Sequence, residues 1–251
     1  MRLFVSLSYN GAPFCGWQSQ PDSPSVQATL ERALSIAFGE EIAVVGAGRT
    51  DTGVNAKEYI AHFDLEGERP FSAKEIVRKI NAILPREVVV NAFFRVNDDA
   101  HARYDALSRT YRYYIHTSKD PFAVNSYFFR FPLDVEKMNE AAKFMLGEQD
   151  FSSFEKVGGA NGTSICNVTQ AQWNALDPTH YVFTVTANRF LRNMVRAMVG
   201  TLLEVGGGKH SPQWVGEVIA AKDRGCAGQS VPGEALFFCG AQYPYDLEIL
   251  N

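Results

Sequence analysis

Hydrophobic residues in the first part of the chain follow two spacings, one helical and one strand-like. Apolar side chains recur with helical spacing at positions 26, 30, 33, 34, 37 and 38. This pattern predicts an amphipathic helix over 25–38 that ends at Gly39. Ser72 and Glu75 have the spacing of a capping box for a helix over 73–84. Apolar runs predict strands at residues 2–9, 42–45, 59–63 and 87–96. The predicted order is therefore βαββαβ.

The second part of the chain repeats this order without obvious sequence identity. Strands are predicted over residues 108–115, 163–175, 181–187 and 235–241. Helices are predicted from Asp134 to near Gly147, over 188–205 and over 212–222. A polar link over residues 97–100 separates the two parts. We therefore predict an α+β protein with two ferredoxin-like halves of the βαββαβ type, residues 1–98 and 99–251, whose sheets meet at a central cleft.

The loop between the second and third predicted strands is the first candidate for a functional site. Arg49 and Asp51 lie among glycines in this loop, which covers residues 46–56. A loop between two strands projects its charged residues from the rim of a sheet. The alternative is a hairpin turn in which the aspartate bonds only its own backbone.

The predicted helix over 188–205 supplies the second candidate. Arg189, Arg192 and Arg196 are spaced i, i+3 and i+7, so on a helix they lie within an arc of about 60°. Most other residues of this segment are apolar, and a buried arginine needs a carboxylate partner because an unpaired buried charge is costly. Asp51 is the natural partner to test for Arg196. The alternative is a solvated stripe whose arginine stems cover apolar surface.

Tyrosines alternate with basic residues in the predicted strand over 108–115. Tyr111 and Tyr113 share one face of this strand, and Arg112 takes the other. An aromatic ring beside a cationic groove can stack on an unpaired base. The alternative for these tyrosines is cross-strand packing.

Composition and charge restrict the class of protein. The 251 residues are 46% hydrophobic and 21% charged, which is typical of an ordinary globular protein. No apolar run reaches the length of a membrane span and the N-terminus lacks a secretory signal, so we expect a cytoplasmic protein without a membrane partner. The net charge of −4 disfavours nucleic-acid binding. Residues 101–131 nevertheless contain five basic and two acidic residues, and residues 187–210 contain four and one.

Several familiar chemistries do not fit the sequence. The four cysteines and five histidines lack the spacing of metal ligands, so we expect no metal and no disulfide. Asp51-Thr52-Gly53 spells an aspartic-protease triplet, but that reaction needs two carboxyls that share a proton, and the triplet occurs once. The loop from Gly48 to Gly53 is not followed by the Lys-Ser/Thr pair of a phosphate-binding loop. The remaining features favour a carboxylate that acts on an extruded nucleotide.

Seven segments resemble, in order, the signatures of tRNA pseudouridine synthases of the TruA type, and the resemblance covers nearly the whole chain. They are Gly16–Gln20, Ser25–Leu34, Gly48–Val54, His101–Tyr104, Tyr111–Tyr113, Asp150–Phe154 and Phe190–Gly200. The resemblance implies conversion of uridine to pseudouridine in the anticodon stem-loop of tRNA, at conventional tRNA positions 38 to 40. It also implies a cytoplasmic homodimer in which one tRNA contacts both subunits, and a reaction without cofactor or metal.

The same resemblance implies roles for five residues. Asp51 is expected to be the catalytic nucleophile, with Arg196 as its ion-pair partner. Arg49 is expected to displace or replace the flipped base, and Tyr111 to stack on the target uracil. Leu236 is expected to form an apolar wall below the base. Whether the carboxylate attacks C6 or C1′ of the nucleotide stays open.

Two residues beside the expected nucleophile depart from the family pattern. Thr52 stands where Ala or Ser is common, and Asn55 stands where His is frequent. These departures concern details of the loop and not the class of reaction. The alternative function is a non-catalytic RNA-binding module with a ferredoxin-like sheet, although the aromatic signature of an RRM is not found.

Overall fold

The computed structural model describes residues 1–67, 70–156, 158 and 162–250. The strands are β1 (Arg2–Tyr9), β2 (Val45–Gly46), β3 (Asn55–Asp64), β4 (Val88–Arg95), β5 (Ser108–His116), β6 (Tyr127–Phe128), β7 (Gly147–Asp150), β8 (Ile165–Ala175), β9 (His180–Ala187), β10 (Leu236–Gln242) and β11 (Glu248–Ile249). The α-helices are α1 (Val26–Phe38), α2 (Ala73–Ile83), α3 (Val135–Lys143), α4 (Met194–Gly206) and α5 (Trp214–Ala221). The protein therefore has the predicted α+β class.

The chain forms two compact units. Unit 1 contains Met1–Leu107 and Phe237–Asn251, and unit 2 contains Ser108–Leu236. The end of the chain belongs to unit 1 because β10 pairs in parallel with β3. The predicted halves were 1–98 and 99–251. Unit 1 instead extends to Leu107 and also contains the last residues of the chain, from Phe237 onward. The division into domains at residues 98 and 99 stays a prediction.

The sheet of unit 1 is built around β1. This strand lies between β3 and β4 and runs antiparallel to both, with Arg2 opposite Asp64 on β3. β2 pairs antiparallel with β3. The resulting order, β4-β1-β3-β2, belongs to the ferredoxin-like βαββαβ arrangement that the sequence predicts for this part of the chain. β11 extends the sheet beside β4.

Local signals place both helices of unit 1 where the sequence predicts them. The Ser25 side chain accepts a hydrogen bond from the first turn of α1, and Gly39 ends this helix at a φ of 78°. The Ser72 side chain caps α2 in the same way. Phe38 of α1 packs on Phe63 of β3, with their ring centroids 5.8 Å apart. α2 packs against β4 and against α1, so the two capped helices cover one face of the sheet with apolar side chains.

Unit 2 contains an antiparallel sheet with the order β5-β9-β8-β7, and β6 pairs in parallel with β5. α3 packs against β8 and α4. α4 is almost fully buried. The elements β5, α3, β8, β9, α4 and α5 follow the predicted order, while β6 and β7 are additions that the apolar pattern did not predict.

The start of α4 corrects the prediction of a helix over 188–205. Asn193 has a φ of 64° and a ψ of 3°, a left-handed conformation that a right-handed helix cannot contain. α4 consequently begins at Met194, and Arg189 and Arg192 precede it. The prediction that these two arginines share a helix face with Arg196 is wrong.

Two further predicted boundaries differ from the structure. The helix that begins after Asp134 ends at Lys143 and not near Gly147, which instead opens β7. Of the predicted strand over 42–45, only Val45 pairs, as part of β2. Among the helices described here, none has both the length and the apolar content needed to cross a bilayer.

Candidate active site

Asp51 lies in the loop over residues 47–54, which joins β2 to β3. The loop leaves β2 with a hydrogen bond from Ala47 N to Ile60 O of 2.8 Å and enters β3 after a turn closed by Val54 N and Asp51 O, 3.1 Å apart. Asp51 is half-buried and Arg49 is exposed. The loop thus combines a partly protected carboxylate with a guanidinium that reaches solvent.

A glycine-containing segment over residues 11–17 supports the backbone of this loop. Trp17 N donates to Thr50 O at 3.1 Å. A Cβ atom on Gly16 would lie 2.6 Å from Thr50 O, and Gly16 has a φ of 99°. A Cβ atom on Gly11 would overlap Val54 O. Both positions need glycine because the two backbones touch there, and Gly16 needs it also for its left-handed conformation.

Hydrogen bonds to buried tyrosine hydroxyl groups hold the loop of Asp51 in place. Thr50 is 7% exposed, and its Oγ1 lies 2.8 Å from the Tyr9 hydroxyl oxygen. The Tyr59 hydroxyl donates to Gly48 O. The rings of Trp17 and Tyr59 pack with their centroids 4.2 Å apart. These contacts fix the backbone on both sides of Asp51.

Asn55, one of the two departures from the family pattern, has a clear structural role. It is 1% exposed, and its Oδ1 accepts a hydrogen bond from Gly11 N at 2.9 Å. Asn55 therefore ties the supporting segment to the start of β3. Thr52, the other departure, is exposed. The sequence analysis missed the support from residues 9–17, although two glycines in a turn-rich segment are a signal of close backbone approach.

Tyr111 lies on β5 opposite Val185 of β9. It is 8% exposed, and its ring stands perpendicular to that of Phe190, with the centroids 5.1 Å apart. Arg112 is exposed on the other face, so the predicted alternation is confirmed. Tyr113 is fully buried and donates its hydroxyl to Pro232 O at 3.0 Å. Burial raises the pKa of this hydroxyl well above its usual value.

Arg196 lies in the first turn of α4 and is half-buried. Its Nε donates to Val231 O at 2.6 Å, while its own carbonyl accepts from Val231 N at 3.3 Å. One turn further along α4, a Cβ atom on Gly200 would overlap Gln229 O. The segment after α5 therefore packs directly on α4 and fixes the stem of the arginine.

The helix start is held by a second set of polar contacts in unit 2. Asn193 Nδ2 donates to Ser230 Oγ at 2.5 Å, and Arg224 Nη2 donates to the same oxygen at 2.9 Å. Leu236 is 5% exposed, and its N–H bonds Gly233 O at 3.0 Å. No sequence signal pointed to Ser230 or Arg224, because their role depends on a distant helix.

Each unit thus brings together part of the predicted set. Asp51 and Arg49 share the loop of unit 1, whereas Tyr111, Arg196 and Leu236 belong to unit 2. The pairing of Asp51 with Arg196 stays a prediction. Among the residues that the structure describes, no group of three His, Cys, Asp or Glu side chains is arranged to hold a metal ion.

Comparisons with known proteins identify the family. A family model described as tRNA pseudouridine synthase matches residues 141–244. The "tRNA pseudouridine synthase A" of Porphyromonas gingivalis is 46% identical over 248 residues, which cover 98% of each chain. The chain belongs to the tRNA pseudouridine synthase A family. The protein of the same name in Bacteroides fragilis is 46% identical over 98% of each chain. The one in Francisella tularensis subsp. novicida is 41% identical over 97% of this chain and 94% of its own.

The family assignment confirms the resemblance found in the sequence. The matched segment of the tRNA pseudouridine synthase family model contains α4 with Arg196, and also Leu236. The full-length matches extend the similarity over nearly the whole chain.

Proposed function

We propose that this chain is an enzyme that isomerises uridine to pseudouridine in tRNA, with Asp51 as the nucleophile. The observation that carries the proposal is the loop of Asp51, whose backbone is fixed by residues on both sides while its carboxylate is only half-buried. A fixed carboxylate can approach a flipped nucleotide without first being ordered. Similarity over nearly the whole chain to proteins named tRNA pseudouridine synthase A supports the same reaction.

The proposed reaction conserves all atoms of the nucleotide. The N1–C1′ glycosidic bond breaks, the uracil turns, and a C5–C1′ bond forms, while the hydrogen on C5 is replaced by one on N1. Because no electrons are gained or lost overall, this stoichiometry requires no redox or energy cofactor. Attack by Asp51 on C6 and attack on C1′ are both compatible with this balance.

The other site residues have proposed roles in binding the same uridine. Arg196 is the proposed ion-pair partner of Asp51, since a nearby opposite charge stabilises a carboxylate. Tyr111 stacks on the target uracil, and Leu236 forms an apolar wall below it. Arg49, which is exposed on its loop, fills the place that the flipped base leaves. These contacts offset the cost of extruding the base, which is a few kcal/mol.

The reaction has a defined location in the tRNA, and the enzyme a defined assembly. The modified uridines are at tRNA positions 38 to 40 in the anticodon stem-loop. The protein works in the cytoplasm as a homodimer in which one tRNA contacts both subunits. Transcribed tRNAs in which cytidine replaces the uridine at one of these positions test the location, because each replacement should remove the corresponding product and no other.

The decisive experiment replaces the proposed nucleophile. Asp51→Asn keeps the shape of the side chain but removes its charge, so we expect pseudouridine formation in transcribed tRNA to fall below about one thousandth of its normal rate. Binding of the tRNA should stay within a few-fold of normal. Asp22→Asn is the matched control, because Asp22 is exposed in a left-handed conformation that asparagine also adopts.

Two outcomes would contradict parts of the proposal. Normal pseudouridine formation by Asp51→Asn would exclude this residue as the nucleophile. Binding of tRNA by the unmodified protein without any product would favour the alternative of a non-catalytic RNA-binding module.

A further inference from the structure

Tyr104 of unit 1 is an aromatic side chain displayed to solvent. It is 76% exposed. The ring of His101 lies behind it, with the centroids 4.3 Å apart and the planes inclined by 34°. The guanidinium of Arg103, which is also exposed, lies 5.8 Å from the Tyr104 ring centroid. The three side chains form what we call the Tyr104 platform, an exposed aromatic ring that packs on the His101 ring and has a guanidinium over it.

The backbone that carries the Tyr104 platform is tightly closed. His101 N donates to Asp105 Oδ2 at 2.7 Å, and Asp105 N donates to His101 O at 3.1 Å. Arg103 N and Tyr104 N both donate to His101 Nδ1, at 3.1 and 3.2 Å. Because a single turn makes all these bonds, the exposed tyrosine is presented from a defined position and not from a loose loop.

This turn is also bonded to the rest of unit 1. Ala102 N donates to Nδ1 of His62 on β3 at 3.1 Å, and the Tyr243 hydroxyl donates to Ala102 O at 2.7 Å. The Tyr245 hydroxyl donates to Asp105 Oδ2 at 2.8 Å, so the carboxylate beside the platform is bonded by two donors. Burial lowers the pKa of His62 to about 4, so its ring is neutral near neutral pH. The bond from Ala102 N then requires the tautomer in which Nδ1 carries no proton.

The rigidity of the turn suggests a role in binding, because an exposed tyrosine does not need a rigid turn in order for the protein to fold. A mostly exposed ring gains little from burial, yet the turn that carries it is fixed by an acceptor on β3 and by the donating hydroxyl groups of Tyr243 and Tyr245. Rings held in this way bind ligands without first losing conformational freedom. A flat aromatic face with an adjacent guanidinium matches an unpaired nucleobase and its phosphate, since bases stack on aromatic rings and arginine attracts the phosphate charge.

We propose that the Tyr104 platform is an RNA contact site in which an unpaired base stacks on Tyr104 and a neighbouring phosphate binds Arg103. The inference rests on the proposed function only in taking tRNA as the RNA. β3 connects the two sites of unit 1, because Asn55 lies beside the Asp51 loop and His62 lies under the platform. Seven residues of strand span about 23 Å. The platform therefore binds a different part of the RNA from the reacting uridine.

Equilibrium binding of transcribed tRNA tests this contact. Tyr104→Ala should raise the Kd by about 5- to 30-fold, the range expected for loss of one stacked base. Tyr104→Phe keeps the ring and should bind within about twofold of the unmodified protein. Phe122→Ala is the matched control, because Phe122 is 87% exposed in the other unit and should leave the Kd unchanged. Unchanged thermal unfolding would show that each variant is folded.

The salt dependence of binding tests the cation separately. Arg103→Gln should reduce the slope of log Kd against log salt concentration by about 0.7 to 0.9, which corresponds to one lost phosphate contact. Turnover at saturating tRNA should be normal for both Tyr104→Ala and Arg103→Gln, so the loss appears in KM and not in kcat.

Each result separates this inference from the proposed function. Normal tRNA binding by Tyr104→Ala would overturn the contact site even if pseudouridine forms as proposed. A lowered kcat with an unchanged KM would also overturn it, because the residue would then act at the reacting uridine. Weakened binding by Tyr104→Ala in a protein that forms no pseudouridine would support the contact site while the proposed function fails.

Discussion

Asp51 in unit 1 and Arg196 in unit 2 are fixed in different ways. The loop of Asp51 is fixed through its backbone, which lies against the backbone of residues 11–17 and bonds buried hydroxyl groups. Arg196 is fixed through its own side chain, whose Nε donates to Val231 O, and through the rigid helix that carries it. A carboxylate on a short side chain follows its backbone closely, whereas a long arginine needs a bond near its end.

This difference predicts where each residue is sensitive to substitution. Changes that displace the backbone under the loop should move Asp51 without touching it. Changes at the start of α4 should act mainly on stability, because the helix and the bond to Val231 both restrain Arg196. Substitutions at three neighbouring positions measure this difference.

Gly16→Ala should have the largest effect. The added Cβ atom would lie 2.6 Å from Thr50 O at a φ of 99°, so the loop must shift. A displacement near 1 Å in a catalytic group can lower a rate by about 100-fold, and we expect that loss in pseudouridine formation. Overpacking and backbone strain should also lower the free energy of unfolding by about 2 to 3 kcal/mol.

Gly39→Ala is the matched control, because it adds backbone strain at a positive φ without a steric clash. Gly39 has a φ of 78°, and nothing lies within 4 Å of an added Cβ atom. This variant should lose about 1 kcal/mol of stability and keep its turnover per folded molecule. Equal turnover of the Gly16 and Gly39 variants would show that the backbone contact does not position Asp51.

Asn55→Ala should have an intermediate effect. It removes the acceptor of Gly11 N in a site where Asn55 is 1% exposed, and a buried donor without its partner costs about 1 to 3 kcal/mol. Because this bond supports the loop, turnover should fall by about tenfold. Urea unfolding and single-turnover kinetics measure the two effects. Asn91→Ala, on the exposed side of β4, loses its hydrogen bonds to Ser6 and Ser8 without leaving a fully buried partner, and should change stability by less than about 1 kcal/mol.

Substitutions of Asn193 should have the smallest effect. Asn193→Gly and Asn193→Ala both lose the hydrogen bond to Ser230, but only alanine is disfavoured at a φ of 64°. The glycine variant should therefore be more stable than the alanine variant by about 1 kcal/mol in urea unfolding. Equal stability of the two variants would mean that the left-handed residue does not determine where α4 begins.

The same two regions show what can be predicted from the pattern of residues. The Asp51 loop was found because it lies between two apolar runs, and α1 and α2 were placed by their caps at Ser25 and Ser72. The start of α4 was predicted too early in the chain because the residues before Asn193 fit a helical pattern equally well. A single backbone conformation, which apolar spacing does not encode, separated Arg189 and Arg192 from α4.

The sequence by itself determined the class of fold, the helices whose caps are local, the position of Asp51 in a loop between strands, and the family. These features depend on side chains a few residues apart, whose spacing is visible along the chain. Only the tertiary structure decided that Asn55 bonds Gly11, that Val231 holds Arg196, and that β10 pairs with β3. Such contacts join residues far apart in sequence, and their free energy depends on geometry that exists only after the chain has packed.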